Sequence, residues 1–69
     1  MAILTERRVR ETELETDLAR VAAEVRVRRE QLRSTSEDVD REILIGELSM
    51  LQAAQANLIK ELRELRWAN

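Results

Sequence analysis

The chain contains no cysteine, histidine, proline, phenylalanine or tyrosine, and it has one glycine and one tryptophan. Each absence removes a class of structure or chemistry. Without cysteine there is no disulfide framework. Without histidine, Ser34, Ser36 and Ser49 have no imidazole base to activate them. Carboxylate metal sites in helical bundles normally add a Glu-x-x-His motif, which this chain cannot form. The acid-rich stretches Glu11/Glu13/Glu15/Asp17 and Glu37/Asp38/Asp40/Glu42 lack the glycine and distant glutamate of a calcium loop. They read as capping and solvated charge. No glycine-rich phosphate loop is present. No apolar run approaches the roughly 20 residues of a membrane span. Met-Ala-Ile-Leu at the start, followed by Thr-Glu-Arg-Arg, has no signal-peptide core. The expectation is therefore a non-enzymatic protein without cofactor or metal, off the membrane, and cytoplasmic or associated with a virion.

What remains is helix. Charged residues make up 38% of the 69 and apolar residues 43%, too many for simple disorder. Proline and glycine are nearly missing, so little interrupts a long helix. The net charge of −2 is unevenly spread: residues 1–33 carry eight Arg against seven acids, and residues 34–69 carry four bases against seven acids. A chain of this size buries little on its own. Small scaffolds usually add disulfides, a metal or a partner, and here only the partner is left.

Two heptad seams run along the chain out of phase. Leu14, Leu18, Val21, Val25 and Leu32 form one; Leu44, Leu48, Leu51, Leu58, Leu62 and Leu65 form the other. Alternating spacings of four and three place each set on one side of a helix. Leu32 and Leu48 are 16 residues apart, two more than two heptads, so on one unbroken helix the apolar side would swing to nearly the opposite face. A fold back near Ser34–Ser36 brings the seams together. The expected fold is all-α, an antiparallel, coiled-coil-like hairpin, with helix 1 over about 3–33, a turn over about 34–36 and helix 2 over about 36–67. It is expected to assemble into a four-helix or larger bundle. One long helix that changes partners midway is the alternative. Ser34 and Glu37 fit a capping box, with Thr35 or Ser36 as other caps. Glu6→Arg10, Glu24→Arg28 and Glu37→Arg41 are favourable i,i+4 pairs.

With the turn near Thr35, facing residue numbers sum to about 70. Val21 then lies near Leu48, Leu18 near Leu51 and Leu14 near Gln55, with Ile3 and Leu4 level with Leu65 and Trp67. Between Leu4 and Leu14 the first seam carries Arg7, Arg10 and Glu11, opposite Leu58, Ile59 and Leu62. Either arginine stems cover those leucines or another chain does. Leu58, Ile59, Leu62, Leu65 and Trp67 are accordingly the expected partner-binding patch, and Trp67 alternatively closes the open end of the hairpin.

Weaker rows lie away from the main seams. Thr5, Val9, Thr12, Thr16, Ala19, Ala23 and, slightly out of step, Val27 mark helix 1. Val39, Ile43, Gly46, Met50, Ala53 and Asn57 mark helix 2. Val9, Ala19, Ala23, Val27, Ile43, Gly46 and Met50 are the expected oligomer seam, because small residues allow close approach and a mid-helix glycine otherwise costs about 1 kcal/mol. Gln55 falls at a core position, where a polar residue fixes register; the alternative is that it sits at the seam edge and reaches water.

These features predict an adaptor, scaffold or small chaperone, of phage or bacterial accessory type, working by helix-seam burial. Its partner is a second copy, with a dimer favoured, or another helical protein. The weaker alternative is a small dimeric regulator binding RNA or DNA through Arg26, Arg29 and Arg33. In architecture alone, such a hairpin resembles the plasmid-encoded RNA-binding regulators of the Rop type and the helical-hairpin co-chaperones of type III secretion needles.

Overall fold

The computed structural model describes residues 2–67, with side chains from Thr5 onward. Two helices, α1 (Ala2–Ser34) and α2 (Asp38–Trp67), pack against each other as a rod of 55 × 14 × 12 Å. Ion pairs join Arg28 to Glu47 near the turn and Arg10 to Glu61 near the open end, so the helices run antiparallel. The chain is thus an all-helical hairpin.

The two sequence seams form its inner face. Leu14, Val21, Val25, Leu48 and Leu62 are buried, and Leu32, Leu51 and Leu58 pack against the Val21–Val25–Leu48 cluster. Every other seam leucine is half-buried. Valines on α1 facing leucines on α2 let short and long side chains interdigitate. Arg28 continues the α1 seam between Val25 and Leu32. Its stem is partly buried, and its Nε donates to Glu47 Oε2 at 3.3 Å. A charge at a seam position is tolerated because its head finds a carboxylate on the facing helix.

The turn works without glycine. Helices commonly end on a left-handed glycine that satisfies the last carbonyls, but no non-glycine residue here has a positive φ among those described. Side chains do that work instead. Ser34 Oγ and Thr35 Oγ1 donate to the Gln31 carbonyl at 3.1 and 2.6 Å. Arg41 reaches back from the first turns of α2, and its Nη1 donates to the carbonyls of Leu32 and Thr35, both at 3.0 Å. This overturns the expected capping box: Ser34 is the last residue of α1, its hydroxyl already engaged, and α2 starts at Asp38, two residues later than the sequence suggests. The Glu37 carbonyl accepts from Arg41 N at 3.0 Å, the first bond of α2.

The arginines also forsake their expected i,i+4 partners. Arg10 bonds to Glu13 and Glu61, Arg28 to Glu47 and the Glu24 carbonyl, and Arg41 to carbonyls of the turn. Arg41 therefore clasps the two helices. Arg41→Ala is expected to lower stability by about 1–3 kcal/mol, the worth of hydrogen bonds from a charged donor. Urea unfolding measures this, and hydrogen exchange should quicken first around the turn.

Candidate functional site

The open end decides how much of the hairpin is left for a partner. Leu14 is 2% exposed and shares a crevice with Arg10, Glu61, Glu64 and Leu65. It does not lie level with Gln55, which instead lines a groove with Ala22 and Val25. The register is thus offset from the one read off Cα levels. Helical side chains lean toward their own N-terminus, so a contact point is covered by residues slightly C-terminal to it on each helix. That lean, with a link centred on Ser36 rather than Thr35, moves each partner on α2 by about four residues, and further for long side chains.

The offset removes the mismatch between Leu58–Leu62 and the charges of α1. Leu62 is only 7% exposed, and Leu58 and Leu65 are half-buried. Ion pairs close over them. Arg10 Nη2 meets Glu61 Oε2 at 2.9 Å, while Arg66 meets Glu11 at 3.1 Å and Glu15 at 2.8 Å. By helical spacing Arg10 and Glu15 lie on opposite flanks of Leu14, so the pairs straddle the seam. The pKa of Arg66 is raised first by its hydrogen bond to Glu11, against some desolvation, with the charges of Glu11 and Glu15 adding. Arg66 stays charged at any ordinary pH. Of the five residues in the expected patch, only Ile59 (40% exposed) and Trp67 (80% exposed) face solvent. The Trp67 ring is open to solvent rather than folded into the seam. The side chains of Ile3 and Leu4, expected level with it, lie outside the described residues.

The outer rows are a different matter. On these rows Val9, Val27, Val39, Ile43 and Met50 are each more than half exposed, Met50 reaching 76%, and Ile45 on the flank of α2 is 50% exposed. Ala19, Ala23, Ala53 and Asn57 are exposed beside them. A row offset by two residues from its seam sits roughly opposite it on the helix, so the rows form the two outward backs of the hairpin. At Gly46 an added Cβ would meet nothing within 4 Å. Nothing inside the hairpin requires that glycine. Gly46→Ala should stabilise the isolated hairpin by about 1 kcal/mol, read as a higher urea midpoint at a concentration where the chain is monomeric.

Gln55 is half-buried, makes no side-chain hydrogen bond among the described residues, and faces the groove lined by Arg26, Arg29 and Arg33. Arg33 pairs with Glu30 at 3.3 Å; Arg26 and Arg29 form no ion pair among the described residues. No group of three or more Asp or Glu among the described residues is placed to hold a metal ion, and no described helix is long and apolar enough to cross a membrane.

Sequence reasoning missed two positions. Arg41 looked like the partner of Glu37, and Arg28 like the partner of Glu24. The signal for Arg41 was available: a glycine-free turn leaves α1 carbonyls that some donor must reach. Comparison with family models, with curated proteins and with solved structures gives no match.

Proposed function

We propose that this hairpin is a non-enzymatic interaction module that assembles through its outward helix faces into a helical bundle, a dimer of hairpins being the simplest closed form. One observation carries the reading: large aliphatic side chains at helical spacing remain exposed on the outer rows while the inner core holds five buried residues among those described. A chain with so small a core gains most from covering those rows. Adaptor, scaffold or small-chaperone work in the cytoplasm suits a protein whose large features, among the described residues, are helix faces. Ile59 and Trp67 would widen such a contact at the open end, and Gln55 would tune its register. Light scattering coupled to size exclusion tests the reading: assembled species at micromolar concentration support it.

A second reading rests on the groove that gathers Arg26, Arg29 and Arg33 beside Gln55. It makes the chain a small RNA or DNA-binding regulator. Binding that weakens steeply with salt and disappears when the three arginines become glutamine would favour it. The chain has only one aromatic ring to stack bases, so the interaction module is the stronger reading.

A further inference from the structure

The two outward backs are not equivalent. On α1 each apolar position is hemmed by charge. On α2, residues 43–59 hold a single charged residue, Glu47, and its carboxylate is held on the α1 side by Arg28. In a chain that is 38% charged, the outer face of α2 is thus free of charge over 17 residues, about 25 Å of helix. Depletion of charge is the compositional mark of an interface core. The band ends in opposite signs, Glu42 before it and Lys60 after it, and neither forms an ion pair within the hairpin among the described residues.

From this we infer that α2 pairs antiparallel with α2 of a second copy, about a two-fold axis near Leu51–Gln52. The inference rests on the self-association proposed above and says which face performs it. In this register the outer row interlocks as Met50 on Ala53, Gly46 on Asn57 and Ile43 on the stem of Lys60, each contact made twice by symmetry. The Lys60 ammonium then lies level with Glu42 of the second copy. A parallel pair would set Glu42 beside Glu42 and Lys60 beside Lys60. Charge at the ends of the band therefore selects a second copy and the antiparallel direction, while an acidic or basic partner would find nothing to pair with along it. Half the circumference of such a helix segment offers about 500 Å² per copy, so the pair buries about 1,000 Å², the threshold of a specific interface.

A charge-exchange cycle on the full chain tests this by sedimentation equilibrium and circular dichroism. Glu42→Lys and Lys60→Glu should each weaken self-association about tenfold, since two pairs become repulsive, and the double exchange should restore it. Both positions face solvent in the hairpin, so helix content should hold in all three variants. Self-association unchanged by the single exchanges, or no recovery in the double, overturns the α2 pairing but leaves self-association standing. A wild-type chain that is monomeric at 100-fold the concentration used for size exclusion overturns both.

Discussion

Leu14→Ala should remove a large share of the hairpin's stability in dilute solution. Leu14 is the most enclosed large side chain of the hairpin, at 2% exposure, and it anchors α1 at the open end. Truncating a buried leucine costs about 2–5 kcal/mol, because the cavity left behind adds to the lost transfer energy. A 69-residue chain has a total stability of only about 3–10 kcal/mol. Among the described residues, the stretch of α1 before Leu14 would then be held chiefly by ion pairs at its surface, and exposed pairs contribute little. Leu62→Ala, across the same seam, should behave alike. Val27→Ala is the control: Val27 is half exposed on the back of α1, so its truncation should stay within about 0.5 kcal/mol. Helicity followed through urea decides between them. Equal midpoints for Leu14→Ala and Val27→Ala would mean that the inner seam does not hold the hairpin.

The second large effect concerns association. Met50→Glu should shift self-association by more than about 100-fold, because a carboxylate desolvated without a partner costs several kcal/mol and symmetry places it twice in the contact. In the isolated hairpin the same change is nearly free, Met50 being 76% exposed. Val27→Glu places an identical charge on the back of α1, among arginines, and should leave association within a few-fold of wild type. If the two substitutions act equally, both backs take part and a layered assembly replaces the α2 pair.

The hairpin was legible in the sequence because a phase break between two heptad seams has few physical solutions, and the same seam residues line its inner face. The exposed rows were legible for the same reason. The register was not, because residue numbers give Cα levels while contacts form at side-chain tips that lean toward each helix's N-terminus. That offset had a consequence: it set Leu58 and Leu62 against charges, where the hairpin buries Leu62 and half-buries Leu58 and Leu65. Arg41 shows a second limit. Periodicity assigns a charged residue to a face, but whether its donors serve a neighbour one turn away or carbonyls across the link depends on turn geometry. The charge-free band on α2 depends on Glu47 pairing with Arg28 across the hairpin, a contact that periodicity alone does not give.

The mass of the unmodified chain in solution, measured by sedimentation equilibrium from 1 to 100 µM alongside its melting temperature, tests the proposal most directly. Association linked to folding predicts a species of twice 8.1 kDa and a melting temperature that rises with concentration. A folded 8.1 kDa monomer whose melting temperature does not change over that range would contradict it.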